Sequence, residues 1–371
     1  MAKKNKFYYR NIFLYSSLQF TGNFEEYFAM HTRKLVAFVL MPRQQPNSSL
    51  IRVYKMGKLV EEKKVVMSSN IFAYYFLWFI YQFKFLVHYF LRKEKIILIT
   101  FHPISFFGMR IQKMIRNINH VYWVADYFPP VNISLRLFEM LKRFYNSKVK
   151  YACYLSDSIN MKMNGKVVRL NNRKTVMWGV LPKDIKRNYM KNNFSILFVG
   201  VIKESQGLEL VFEFLKEHKD YAIKIIGICD QKLFAQYKKI IKRNKIDKQV
   251  YFPNRFFSDA ELDEISKKCR VGIAVYNIDE TSATYYTDPG KIKAYAQLGL
   301  PIIMSNVSAI APYIEKFGCG RVIKENKEEL KDALLEIKSN YAKYLTGIKE
   351  FNKHFYYDTY YRKAFRFLEE I

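Results

Sequence analysis

The sequence predicts an α/β protein of two parallel-sheet domains facing each other across a cleft. Three observations carry this. Short apolar runs ending in a turn alternate with amphipathic stretches of helical length, the pattern of strands joined by crossover helices. The alternation runs through both halves of a 371-residue chain, a length that suits two domains. Between the halves, the polar stretch 182–193 interrupts the apolar pattern, which places the expected domains at 1–183 and 184–371.

In the first half, 11–16 and 35–41 are expected strands with a helix at 25–31 between them. KIILIT at 95–100 and HVYWVA at 120–125 read as buried strands flanking a helix at 107–117, and 148–155 and 174–178 complete the set. Residues 71–91, IFAYYFLWFIYQFKFLVHYFL, have the length of a membrane span. Gln82, Lys84 and His88 interrupt them, however, and a charge at the centre of a spanning helix costs about 2.5–3.5 kcal/mol. The tyrosines and tryptophan suit an interface better than hydrocarbon. This segment is read as a buried or membrane-surface helix.

The second half is clearer. FSILFVG at 194–200 is a strand ending in glycine, followed by a helix at 208–219. A strand at 221–227 (YAIKIIG), a helix at 234–244 and a short strand at 250–252 come next. Ser258 opens a helix at 258–268 with Glu261 three residues on, a capping box, and 270–276 is again a strand. In 288–301, DPGKIKAYAQLGLP, Asp288 can cap a helix and Pro289 suits its first position. Ile292, Tyr295 and Leu298 form one apolar stripe, Gly299 ends the helix, and Pro301 prevents its resumption. IIM at 302–304 is the next buried strand, and 358–371 reads as a final amphipathic helix.

Sixty-two Lys and Arg face 33 Asp and Glu, a net charge of +29. With half the residues hydrophobic and 17% aromatic, a disordered polycation is excluded. Residues 1–185 hold 30 basic and 9 acidic side chains, against 32 and 24 in the remainder. That asymmetry points to an anionic partner, or to codon bias toward lysine. No nucleic-acid module is present and the charge is dispersed, so no nucleic-acid partner is expected. An anionic membrane surface is the expected partner, although the patches Lys63-Lys64, Arg92-Lys93-Lys95 and Lys142-Arg143 each read singly as solvated faces. Cys153, Cys229, Cys269 and Cys319 lie far apart without CxxC spacing, which fits a reducing cytosol. The basic, apolar start lacks a small-residue cleavage site, so no signal peptide is expected.

Ligands of parallel sheets bind beyond the carboxyl ends of the strands, where helix N-termini favour phosphate. Two such places stand out: the turn after Gly200 and the helix that starts at Pro289, with Lys203 and Lys291 in those turns. A diphosphate is the inferred ligand. The chain has no GxxxxGK[ST], GxGxxG, HExxH or GxSxG, and no Asp-x-Asp to hold a divalent metal. Group transfer without metal or cofactor, relying on lysines and backbone dipoles, is the remaining expectation.

These residues carry a resemblance. FVGVIKESQGLEL at 198–210 resembles the FVGRLxxxKGxxxL of group 1 (family 4-like) retaining glycosyltransferases of the GT-B fold. VMWGV at 176–180 is similar to their PNGVD or PWGVD segment, and 288–303 to the variant SPxKIxEYxAxGxPVI. The three motifs occur in the family's order over about 175–305. The first half matches in outline only, through GNFEE at 22–26 and VYWVAD at 121–126. The resemblance implies two Rossmann-like domains, acceptor-binding then nucleotide-sugar-binding, with the last helix (about 354–371) crossing back toward the first. It implies retaining transfer of a sugar from a nucleotide-sugar to a lipid-linked or envelope glycan, by a cytoplasmic enzyme peripheral on the inner membrane face.

By that resemblance, Gly200, Lys203, Gln206, Gly227, Asp288, Pro289, Gly290 and Lys291 form the donor site. Asp126 takes the place of an acceptor base, His102 is a second catalytic candidate, and Gly22 allows close backbone approach of ligand. Each has a plainer reading. Asp288 is a helix cap, Asp126 an Asx turn, His102 a backbone-bonded imidazole, and the lysines solvated. The chain also departs from the family. Val201 and Gln206 stand where it has its diphosphate-binding Arg and Lys, and Tyr286 and Ala294 where it has the two glutamates of E-x7-E. A catalytically inactive scaffold of a membrane glycan-assembly complex is therefore the alternative.

Overall fold

The first half folds as β1 (Tyr9–Ser17), α1 (Asn23–His31), β2 (Thr32–Val39), β3 (Leu50–Lys55), β4 (Lys58–Lys64), α2 (Ile71–Phe90), β5 (Ile96–Thr100), β6 (Asn119–Val124), α3 (Ile133–Lys148), β7 (Tyr151–Tyr154), α4 (Asp157–Asn164) and β8 (Arg173–Thr175). This computed structural model describes residues 8–17, 23–41, 49–90, 95–103, 119–187, 194–276, 279–307 and 309–370. Gly22, the helix expected at 107–117 and the Arg92-Lys93 patch lie outside the described residues. The strands form one sheet of order β4-β3-β2-β1-β5-β6-β7-β8. From β2 to β8 the neighbours run parallel, while β3 and β4 add an antiparallel hairpin at the edge. Its turn holds Met56 and Gly57 at φ 51° and 82°, the left-handed pair a tight hairpin requires. Lys-Met-Gly-Lys lacks the Asn-Gly signal, so the hairpin was illegible in the sequence.

Two helices of this unit depart from simple amphipathicity. α2 packs Tyr74 and Trp78 against the sheet while Phe72, Phe76, Phe79 and Phe83 stay exposed. No helix among the described residues is long and apolar enough to cross a membrane. α3 is inverted: Ile133, Leu137, Met140 and Phe144 recur at helical spacing in water, whereas Glu139, Lys142 and Asn146 are buried. The stripe Ile133, Leu137, Met140 and Phe144 is a helix signal that the sequence reading missed, and it would have turned the wrong face of 133–148 to the core. The reading of Lys142 as a solvated lysine is corrected here; Arg143 beside it is exposed.

The second half forms β9 (Phe194–Val199), α5 (Leu208–Glu217), β10 (Tyr221–Ile226), α6 (Gln231–Arg243), β11 (Val250–Tyr251), α7 (Asp259–Ser266), β12 (Val271–Ala274), α8 (Gly290–Gln297), β13 (Ile302–Ser305), α9 (Ala311–Phe317), β14 (Gly320–Ile323), α10 (Lys327–Ser339) and α11 (Tyr341–His354). Its sheet is wholly parallel, in the order β11-β10-β9-β12-β13-β14. The near-continuous apolar strands follow from burial on both faces. The capping box of Ser258 and Glu261 forms as the sequence predicts, and Gly299 ends α8 at φ 69°.

The chain divides into unit 1, Met1–Gly179 with Tyr357–Ile371, and unit 2, Val180–Tyr356. Lys183 and Arg187 belong to unit 2: Lys183 pairs with Asp263 at 2.7 Å, and Arg187 donates to the carbonyls of Ser266 and Leu298. The last helix, α12 (Tyr357–Ala364), belongs to unit 1. There Asp358 meets His31 of α1 at 2.6 Å, and Tyr361 lies against Phe24 and Tyr27. Strand order reverses at β1/β5 in unit 1 and at β9/β12 in unit 2, the places where such sheets open a crevice for ligand.

Candidate functional site

The crevice of unit 2 is built by the turn after β9 and by α8. Gly200 leaves β9 at φ 115°, and its N–H bonds the Ile226 carbonyl at 3.0 Å. A Cβ on Gly227 would stand 1.9 Å from the Gly200 oxygen, so Gly227 serves to let the two turns close on each other. Beyond Gly200 the chain makes a short 3-10 turn, Glu204–Gln206, which leaves Lys203 exposed and Gln206 buried. α8 starts at Gly290, one residue later than the sequence suggests, with Pro289 as its capping residue in extended conformation.

Lys291, in the first turn of α8, reaches across to β9. Its Nζ donates to Gln206 Oε1 at 3.3 Å and lies 4.1 Å from the ring centre of Phe198 and 5.1 Å from that of Tyr276. Burial, with the neighbouring Lys203 adding to it, pulls this ammonium down to about 7. Two cations thus converge at the β9/β12 switch, beside the free N–H groups of a helix N-terminus. An ammonium has three donors, and one carboxamide oxygen occupies only one of them. The arrangement is shaped for an anion. It also involves Gln206, whose carboxamide oxygen holds the Lys291 ammonium at this place.

Asp288 is placed differently from the expectation. Its carboxylate is fully buried and pairs with Lys293 of α8 at 3.5 Å, and Lys293 in turn lies 3.4 Å from the ring centre of Phe355. α8 takes Pro289 as its cap without a side-chain cap bond, and the Asp288 charge is paired inside unit 2. Tyr286 is buried and donates to the Glu280 carbonyl at 3.0 Å, and Ala294 is half-buried in α8.

In unit 1, His102 and Asp126 lie beyond the ends of β5 and β6. His102 is buried, 4.5 Å from the ring of Trp78 and 5.2 Å from that of Phe138. Burial, with the Lys142 ammonium adding to it, holds its imidazole down to about 3. At that value it is neutral at pH 7 and a weak proton acceptor. Asp126 is half-buried, and its backbone carbonyl accepts from Lys142 Nζ. The sequence reading missed the group that fixes this loop: Glu139 Oε1 accepts from Lys142 Nζ at 2.8 Å and from the Phe128 N–H at 2.9 Å. Glu139 and Lys142 are each only 4% exposed. The i, i+3 spacing of Glu139 and Lys142 was a signal, but one that surface pairs share.

Two units, each an α/β sheet with its strand-end crevice, define the class. The fold is that of the GT-B glycosyltransferases. It matches sucrose-phosphate synthase from Thermosynechococcus elongatus with a TM-score of 0.71 at 12% identity, over 97% of this chain and 99% of that one. It also matches Anabaena HepE in complex with UDP (TM-score 0.68, 13% identity, 98% and 100% covered). A third match is WaaG, a glycosyltransferase involved in lipopolysaccharide biosynthesis (TM-score 0.61, 13% identity, 97% and 99% covered). Residues 183–355, nearly all of unit 2, match the family model described as Glycosyl transferases group 1. No curated protein sequence matches the chain.

Proposed function

We propose that the protein transfers a sugar from a nucleotide-sugar held by unit 2 to a lipid-linked or envelope glycan acceptor, without a metal ion and with retention of configuration. The observation that carries the reading is Lys291, whose Nζ sits over Phe198 and against Gln206 beside Lys203 at the strand-end crevice. The anomeric C–O bond breaks with its electron pair leaving on the diphosphate, and the cations and the α8 amides stabilise that charge where it develops. The acceptor hydroxyl forms the new C–O bond and loses its proton to a base, the role that falls to Asp126. Because HepE crystallises with UDP-glucose, that donor is the first to test.

A thermal-shift screen with UDP-, GDP-, ADP- and dTDP-sugars tests the reading. One nucleotide class is expected to stabilise the protein by about 2.7 kcal/mol at a hundredfold excess over its Kd. If none stabilises it and none is hydrolysed, the inactive scaffold is the better account.

A membrane surface is the proposed workplace, cytoplasmic and on the inner face. Supporting it are the exposed Phe72, Phe76, Phe79 and Phe83 of α2, and Ile133, Leu137, Met140 and Phe144 of α3 with exposed Arg136 and Arg143. Aromatic and aliphatic side chains flanked by arginine suit the boundary of an anionic bilayer. The protein is expected to sediment with phosphatidylglycerol vesicles at low salt and not with phosphatidylcholine alone. The pair Phe76→Asp and Leu137→Asp should reduce that binding about tenfold; equal binding by wild type and variant would remove the membrane from the account.

A further inference from the structure

We infer that Phe101 and Trp178 form an aromatic platform in unit 1 on which a pyranose ring of the acceptor stacks. The inference rests on the proposed sugar transfer and adds to it a place and a chemistry for the acceptor.

Three rings carry it. Trp123, at the end of β6, is fully buried. Phe101, directly after β5, lies 5.3 Å from it with planes at 20°, and Trp178 lies 5.3 Å from it at 24°. A sandwich with Trp123 in the middle would hold the outer rings roughly twice that distance apart. Phe101 and Trp178 are instead 6.3 Å apart with planes at 10°, side by side like two tiles over one base. Both keep part of their surface in water. Phe24 meets Phe101 and Trp123 edge-on, at 84° and 81°, which props the base from the side.

The Trp178 tile is held in place by the chain around it. The N–H groups of Met177 and Gly179, on either side, donate to the hydroxyls of Tyr360 and Tyr361 at 2.9 and 2.7 Å. The Gly179 carbonyl accepts from Asn23 at 2.7 Å, and a Cβ at Gly179 would stand 2.9 Å from the Tyr357 backbone. Such pinning is costly to build for an ordinary surface ring. It suits one whose orientation must be fixed before a ligand arrives.

A flat, half-exposed π surface favours a partner with weakly positive C–H bonds on one face. The axial C–H face of a hexopyranose is such a partner, and its rim of hydroxyls needs polar groups close by. Asp126 lies three residues after Trp123, two residues beyond the end of the same strand. A nucleobase also stacks on aromatic rings, so the test must separate the two.

The three tryptophans are Trp78, Trp123 and Trp178; the first two are buried, so acrylamide quenching of the intact protein reports on Trp178. Quenching is measured with methyl glucoside, methyl galactoside, methyl mannoside and maltose, with UDP as the nucleobase control. At least one pyranoside is expected to shield Trp178, and UDP is not. With that pyranoside as acceptor, Trp178→Leu should raise its KM about tenfold while Trp178→Phe stays near wild type, because phenylalanine keeps the stacking face. The stabilisation of both variants by nucleotide-sugar should be unchanged, which separates the effect from misfolding. Shielding by UDP alone, shielding by no pyranoside, or an unchanged KM in Trp178→Leu would each overturn the platform. If no nucleotide-sugar stabilises the wild type, the proposed transfer fails instead, and the quenching result still decides the platform.

Discussion

Lys291→Met abolishes donor turnover, with kcat/KM expected to fall about 100- to 1,000-fold and the unfolding temperature nearly unchanged. Methionine preserves the apolar stem over Phe198 and deletes the charge. What disappears is the cation that meets the leaving diphosphate. The pH dependence follows from the same side chain. Its ammonium is held down to about 7 by burial and by Lys203, so it is charged below that pH and loses its proton above it. Donor binds the protonated form. Affinity for UDP should therefore be highest on the acid side of 7 and weaken as pH rises, by up to about tenfold per unit, levelling off only where the complex too loses the proton that the bound anion holds on. Lys291→Arg stays charged throughout and should flatten that slope. Calorimetric titration of UDP between pH 6 and 9 reads both effects; a parallel slope in the two proteins would detach Lys291 from the diphosphate.

The second large effect is on stability. Lys142→Met leaves the Glu139 carboxylate buried without its ammonium, a loss of about 3–5 kcal/mol. The double variant Glu139→Leu, Lys142→Met should regain most of it, because a matched apolar pair no longer buries a lone charge. Urea unfolding of the single and double variants measures this. A single variant as stable as wild type would mean that the pair is hydrated rather than buried.

Unit 2 was largely legible in the sequence because its strands are apolar on both faces and its helices carry ordinary stripes and caps. FSILFVG, YAIKIIG and the Ser258–Glu261 box fell where pattern and capping chemistry put them. Unit 1 was less so. Its hairpin turn uses Met-Gly, and α3 turns its apolar residues outward, so periodicity pointed away from the core. The lysine of the site was legible, since Lys291 in a helix's first turn is electrostatically out of place without an anion. Its companions were not. That Asp288 spends its charge on Lys293, or that burial holds the His102 imidazole down to about 3, depends on packing, which sequence spacing does not encode.

Unit 2 is one continuous stretch, Val180–Tyr356, whereas unit 1 takes α12 from residues that follow unit 2. During synthesis, then, unit 2 can finish folding while the part begun first still waits. The hydroxyls of Tyr360 and Tyr361 that pin Met177 and Gly179 leave the ribosome only after the whole of unit 2 has been made. Until they do, an eight-stranded sheet rich in phenylalanine and tyrosine stands without one of its covers, the condition in which nascent chains most need shelter from aggregation.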